Sequence, residues 1–266
     1  KLIRQFDSRW ATFDKIKDNG TIEERLVSQQ EKEDLEFKIN PRYWVTSLDV
    51  REKFIDKNGD KWWKKPWLLA FRGITSPTNE RTIIATVLPS NVGAGDNIPL
   101  LLPNCEADLA ACLLGNLNSL IVDFVDRVKQ SGVHASFFIV KQLPILSPQQ
   151  YTQRDIDFIT NRIAKLTRNS EEINKIWLID KPCYRFQQPK ERLRIRAELD
   201  AYYAKLYGLT RDELRYILDP EDVMGASFHS VTFPGLKRNE TKEFGEYLTG
   251  RLVLEAFDAL ENGTLH

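Results

Sequence analysis

The chain has no surplus of either charge: 38 Lys and Arg residues balance 38 Asp and Glu, leaving a formal net charge of zero at pH 7. This counts against a strongly basic, free-standing nucleic-acid binder, the usual form of such a protein. Cysteine is scarce and odd in number. Cys105, Cys112 and Cys183 lack metal-ligand spacing and two of them fall on an apolar helical stretch, so all three are read as reduced, buried small hydrophobes of an intracellular, cytoplasmic protein. Histidine stands only at 134, 229 and 266 and no serine occupies a nucleophile elbow, so hydrolase triads have no support. No apolar run approaches a membrane span and no signal peptide is visible, so no membrane partner is expected. Internal repeats and low-complexity tracts are also lacking. The chain opens on Lys1 without a methionine, which leads us to expect a segment cut from a longer protein.

What is present is enough for one large domain or two modest ones: 266 residues, 11% of them aromatic. The strongest periodic signal is Leu109, Cys112, Leu113, Leu117, Leu120, Ile121, Phe124 and Val128, whose three-and-four spacing predicts one long amphipathic helix. Glu106 and Asp108 in its first turn and Arg127 and Lys129 in its last complement the helix dipole. Gly132 breaks the pattern, and Ala135 to Val140 is aromatic and β-branched enough to predict a strand. Further strands are expected at Arg42 to Val45, Trp67 to Phe71, Arg81 to Leu88 and Pro99 to Leu102. Beyond Ser147 the reading is helical: Asp155 to Leu166, Glu191 to Leu206, Asp212 to Leu218 and Lys242 to Leu260. Capping signals stand at Ser147-Pro148-Gln149-Gln150 and Thr210-Arg211-Asp212-Glu213. The expected class is α+β, a small-stranded mixed or antiparallel recognition sheet with one long packed helix, followed by a helical C-terminal region. Three consecutive regions are expected: a charged connector over 1–38, the sheet domain over 39–148, and the helical region over 149–266.

Several segments resemble one family in a consistent order. Leu113-Leu114-Gly115-Asn116-Leu117-Asn118-Ser119, with the closing Gln142-Leu143-Pro144, resembles the signature of DNA target recognition domains. These domains serve type I specificity subunits and the adenine-N6 methyltransferases of type II restriction enzymes. Ile3-Arg4-Gln5-Phe6-Asp7-Ser8-Arg9-Trp10 resembles the Arg-Pro-Phe-Asp-x-Arg-Trp element that follows the catalytic domain in fused enzymes, with Gln5 in place of proline. Phe71-Arg72-Gly73-Ile74-Thr75, then Thr78-Asn79-Glu80-Arg81-Thr82, resembles a block of large restriction-modification and phage-defence methyltransferases. Leu193 to Ala201 and Leu206 to Leu214 resemble the helical pair that follows their recognition domains. Phe244-Gly245-Glu246-Tyr247 with Arg251 resembles their terminal element, although Leu248 stands where arginine is usual. The resemblance implies double-stranded DNA as partner, a catalytic domain of the same parent chain, and S-adenosylmethionine as the parent's cofactor.

Catalytic motifs do not complete themselves within the chain. A DNA amino-methyltransferase needs a glycine-rich loop after a strand for its cofactor and an Asn/Asp-Pro-Pro-aromatic loop for a flipped base. Asn91-Val92-Gly93-Ala94-Gly95-Asp96 precedes another strand rather than a helix and reads as a hairpin. In Asn40-Pro41-Arg42-Tyr43 an arginine stands where the second proline is required, so the segment reads as a strand start. Glu36-Phe37-Lys38 has the Glu-x-Lys spacing of metal-dependent nucleases, with Asp18 as the one upstream ligand, but its flanks read as a solvated charge run. No catalytic, metal-binding or cofactor-binding residue is assigned.

The remaining candidates make a recognition surface. Between Arg42 and Arg72 the chain carries a local excess of four positive charges, with Trp62, Trp63 and Trp67 interleaved. Lys61, Lys64 and Lys65 can neutralise phosphates while an indole such as Trp62 packs on sugar or base. The competing account makes Trp67 core, turns one of Trp62 and Trp63 inward, and leaves the lysines on a solvated hairpin. In the shared block, Arg72, Thr75, Asn79 and Arg81 are the types that reach guanine, phosphate and adenine. The same block also reads as a salt-bridged turn that fixes the loop for folding. Arg127, Lys129, Gln130, Ser131 and His134 form a second candidate loop, although His134 also suits a capping role. The function expected is sequence-specific DNA recognition for an adenine-N6 methyltransferase. A protein-interaction module is the alternative, and a nuclease fragment resting on Glu36 and Lys38 the third.

Overall fold

The computed structural model describes residues 3–129, 132, 134–168, 170–182, 184, 187–225, 227–228 and 231–266. Its strands are β1 (Ala11–Ile16), β2 (Ile22–Leu26), β3 (Trp67–Phe71), β4 (Ala85–Pro89) and β5 (Leu100–Leu101). The helices are α1 (Gln29–Glu33), α2 (Ser47–Glu52), α3 (Ala107–Leu117), α4 (Leu120–Lys129), α5 (Phe137–Val140), α6 (Gln153–Thr167), α7 (Glu171–Ile176), α8 (Pro189–Leu206), α9 (Arg211–Leu218), α10 (Pro220–Met224), α11 (Pro234–Phe244) and α12 (Leu248–Glu261), with a 3-10 turn at Pro148–Gln150. Helix makes up 46% of the described residues beside two small antiparallel sheets, so the class is α+β with a helical C-terminal region. Among the described residues no single helix is long and apolar enough to cross a membrane.

The chain divides into two compact units, each built from discontinuous segments. One unit comprises Lys1–Arg72, Ile84–Leu114 and Ile163–Gln187; the other comprises Gly73–Ile83, Gly115–Arg162 and Gln188–His266.

In the first unit β3 lies between β4 and β5, antiparallel to both, and every residue of β3 and β4 is buried. Because β5 pairs with β3 and not with β4, residues 90–99 cross over instead of closing the expected hairpin. Trp67 anchors this core. Trp63 and Trp177 meet it edge to face at 5.8 and 5.0 Å, and their indole N–H groups donate to the Trp67 carbonyl and the Thr167 hydroxyl.

The N-terminal segment is tied into this fold. Phe6 adopts a positive φ of 60° inside a tight turn bridged between Arg4 and Asp7, and its N–H donates to Ala85. The Asp7 carboxylate takes Lys32 at 2.6 Å, while buried Arg9 donates to the carbonyls of Lys32, Asp34 and Phe37. Trp10 lies under the cations of Arg4 and Lys32. Each residue type in the Arg-x-Phe-Asp-x-Arg-Trp element therefore has a structural task.

The second unit packs helices around Leu120, Ile121, Leu214, Phe233, Val253 and Phe257, with Ala197, Ala201 and Ala204 forming the small face of α8. The expected single long helix is broken into α3 and α4. The break is made by hydrogen bonds: the Ser119 hydroxyl donates to the Asn116 carbonyl at 2.8 Å and accepts the Val122 N–H, while the Leu120 N–H donates to the Asp200 carboxylate. A strand at Ala135 to Val140 does not form. Ser136 caps Ile139 instead, closing the one-turn helix α5. Arg42 to Val45 likewise pairs with no strand, and Arg81 to Thr82 is held by side chains before β4 begins at Ala85. The expected helix over Lys242 to Leu260 is two helices, because Gly245 at φ 81° ends α11 in a left-handed cap. Cys112 is buried and Cys105 half-buried, and Cys183 lies outside the described residues.

Candidate nucleic-acid interface

In the second unit the shared block forms a clasped loop. The Thr75 hydroxyl donates to the Thr82 carbonyl at 2.7 Å, closing Thr75 to Thr82 on itself. From α4, the Arg127 guanidinium donates to the carbonyls of Pro77 at 2.6 Å, Asn79 at 2.9 Å and Glu80 at 3.2 Å, and lies 4.9 Å over the Phe233 ring. Helix α11 begins against the same loop. A Cβ on Gly235 would stand 2.3 Å from the Thr78 carbonyl oxygen, and Asn239 donates to Glu80 at 2.8 Å. Glycine is needed there for close approach, not for a special φ.

Arg81 sits at the centre of the clasp. Its side chain is 4% exposed and its guanidinium meets the equally buried Asp200 carboxylate at 3.1 Å. That carboxylate also accepts the first N–H of α4, from Leu120, at 2.7 Å. One step along the loop, the Thr82 N–H and hydroxyl both donate to Asp123. Asp126, one turn further along α4, is fully buried, and neither of its carboxylate oxygens accepts a hydrogen bond. Burial pushes its carboxyl up, helped by the charge of Asp123; the nearby Thr82 hydroxyl pulls down but is committed to Asp123.

The signature around Gly115 is framework of the same kind. A Cβ on Gly115 would meet the Tyr203 hydroxyl at 2.7 Å. Asn116 donates to the Tyr207 hydroxyl at 2.8 Å, Tyr207 donates to the Pro144 carbonyl at 2.5 Å, and the Asn116 oxygen accepts from Leu146 N–H. The two halves of the signature, Gly-Asn and Gln-Leu-Pro, are thus joined through one tyrosine.

These positions sort the candidates. Thr75 and Arg81 are 3% and 4% exposed, with the Thr75 hydroxyl and the Arg81 Nη2 engaged inside the fold, so neither offers a surface to a base or phosphate. Arg127 is committed to three carbonyls. Asn79 is half-buried, its backbone fixed by Arg127. Lys129 and His134 are exposed, His134 forming an isolated bridge with Ile74, and Gln130 and Ser131 lie outside the described residues.

In the first unit, Lys61, Trp62 and Lys64 are exposed, on and just after a turn bridged between Ile55 and Lys61. Trp62 donates its indole N–H to the Lys53 carbonyl at 3.2 Å and leans on Phe54, leaving half its surface open. Trp63 is the inward member of the pair and Trp67 the core one. Lys65 departs from the surface reading: it donates to the Cys105 carbonyl and lies 5.1 Å over the Trp67 ring. Arg72 is half-buried; burial lowers its pKa and the like charge of Arg4 lowers it further, while the carboxylate of Glu24 opposes both.

The Gly93 and Gly95 loop does not suit S-adenosylmethionine, because it joins β4 to β5 with no helix N-terminus after it to receive the cofactor. Glu36, Lys38 and Asp18 are all exposed, and no group of three or more His, Cys, Asp or Glu side chains among the described residues is arranged to hold a metal ion. Comparison of the chain with protein-family models, with curated proteins and with solved structures gives no match.

The sequence did not signal Asp200, Asp123 or Gly235. Asp200 lies 119 residues from Arg81, and no local pattern links them.

Proposed function

We propose that this chain is the DNA target recognition part of an adenine-N6 methyltransferase of a restriction-modification or phage-defence system. The observation that carries the reading is the order of the resembling segments, from Arg4 to Arg251, along nearly the whole chain. The geometry supports a division of labour within it. Block and signature residues hold the second unit together, whereas Lys61, Lys64 and Lys129 remain exposed and Arg72 half-exposed, where phosphates can be met. In the parent, the recognition part clamps the duplex and presents the target adenine to a catalytic domain that binds S-adenosylmethionine.

A protein-interaction module is the second reading, favoured by the exposed Ile74, Val128, Phe137 and Phe138 of the second unit. A salt titration of binding to a mixed-sequence duplex separates the two. A recognition part loses affinity linearly in log salt as counterions are released. Absence of duplex binding at low salt leaves the interaction module as the account of the chain.

A further inference from the structure

Asp123 and Asp126 lie one turn apart on the same face of α4, at 1% and 0% exposed. Two carboxylates so close, and out of water, oppose one another unless cations or donors answer both. The charged groups around them are committed elsewhere. Arg127 approaches Asp123 at 3.4 Å and gives its closer hydrogen bonds to the carbonyls of Pro77, Asn79 and Glu80, while Arg81, whose charge reaches Asp123, meets Asp200. Of the elements packed on α4, α5 is apolar, and on α8 the charge of Arg196 acts on Asp200. On α9, Arg211 and Arg215 are held by Asp258, Asp212 and Asp222, and Glu213 caps its own helix. At α11, Lys237 takes Asp219 and Glu240 accepts from Thr249.

The group that the two carboxyls share is Thr82, at the end of the clasped loop. Its N–H and its hydroxyl both donate to the same oxygen of Asp123, and the hydroxyl also faces Asp126. A threonine hydroxyl has one proton to give, and its oxygen can still accept. With that proton given to Asp123, Thr82 offers Asp126 only a lone pair. An ionised Asp126 has nothing but acceptors, and both of its oxygens stand without a donor. A protonated Asp126 fits the place, because its O–H can donate to Thr82 Oγ1 while Thr82 donates to Asp123.

We propose that Asp126 keeps its proton in the folded chain and, through Thr82, latches the end of the Thr75–Thr82 loop to α4, so that loss of the proton loosens that end. On release the proton passes to water, and the ionised Asp126 competes with Asp123 for the single Thr82 hydroxyl proton. Burial, and then the charge of Asp123, raises the Asp126 carboxyl, so the latch is closed at low pH and opens as pH rises through the folded-state value. The latch goes beyond the DNA reading and does not depend on what the loop meets outside.

The test follows the whole chain by nuclear magnetic resonance, with aspartate carboxyl carbons labelled and Asp126 assigned through its own backbone. Its carboxyl should stand at the protonated position at about pH 7, where an ordinary aspartate is ionised. The Thr82 amide, which donates to Asp123 at 2.7 Å, should lose protection against hydrogen exchange by about tenfold per pH unit above that titration, the effect of one proton, after correction for the intrinsic rate. The amide of buried Val253 in α12 should keep its protection. In Asp126→Asn, whose side-chain amide can donate to Thr82 as the acid does, Thr82 protection should be independent of pH. An Asp126 carboxyl already ionised at about pH 7, or Thr82 protection in wild type that does not fall with pH, overturns the latch. Parallel loss of protection at Val253 overturns it as well, because the whole unit and not the loop end is then what opens.

Discussion

Asp200 in α8 is the side chain whose loss should most disturb the second unit. Its carboxylate takes the buried Arg81 guanidinium at 3.1 Å and the first amide of α4 at 2.7 Å. Asp200→Leu keeps the branched shape of the side chain and deletes both acceptors. Arg81 cannot turn to another partner easily, because its Nε and Nη1 are already buried without one. Leaving a buried charge unpaired costs about 3 to 5 kcal/mol, and a lost helix cap about 1 kcal/mol. One carboxylate serves both roles, so the two costs overlap and about 4 kcal/mol is expected, a large part of the 5 to 15 kcal/mol typical of a folded domain. Arg81→Met with Asp200→Leu removes both charges and should recover most of that loss. All six tryptophans lie in the first unit, so urea unfolding is best followed by far-ultraviolet circular dichroism, which reports the helices of the second. If Asp200→Leu costs less than about 1 kcal/mol, or if the double variant is no more stable than the single one, the clasp around the shared block is not what holds it.

Asp126 gives a pH-dependent counterpart. Its folded-state pKa is raised, with burial the largest cause, so its contribution is fully present below the unfolded-state value and is lost as pH rises through the folded one. Asp126→Asn should therefore gain stability over wild type between about pH 4 and pH 8, by about 1.4 kcal/mol for each tenfold weakening of the carboxyl's acidity on folding, in urea melts at the two pH values. Gly235→Ala should cost about 1 to 3 kcal/mol, because its Cβ meets the Thr78 carbonyl, whereas Gly95→Ala, which faces open space, should melt like wild type. Lys61→Ala with Lys64→Ala should weaken binding to all duplexes alike and lower the salt slope by about 1 for each phosphate no longer neutralised; Lys65→Ala, whose ammonium is held by Cys105 and Trp67, should leave the slope unchanged.

The elements that could be read in advance are those whose signals are local. Helices α6, α8 and α9 follow apolar spacing, and the Thr210 capping box forms as its residues imply. β3 is a run of apolar residues, and Trp67 is core. Periodicity failed where polar partners decide. The apolar stripe continues through Asn118 and Ser119, but Ser119 turns back on Asn116 and Asp200 receives the next amide from 80 residues away. Ala135 to Val140 has strand composition, yet the Ser136 cap turns it into helix. The candidate interface shows the same limit. Charge and aromatic clustering between Arg42 and Arg72 could be read, and so could the outward and inward split of Trp62 and Trp63. That Arg81 lies inside could not, because arginine in a loop looks the same whether its carboxylate partner is absent or 119 residues away.

Sequence-specific DNA recognition is tested most directly by selection from a randomised duplex library with the isolated chain, followed by sequencing of the retained fraction. The account predicts enrichment of one short motif, with Arg81→Met variants that still fold enriching the same motif, since that side chain lies within the fold. A retained fraction with no enriched motif, or no retention at all at low salt, contradicts it.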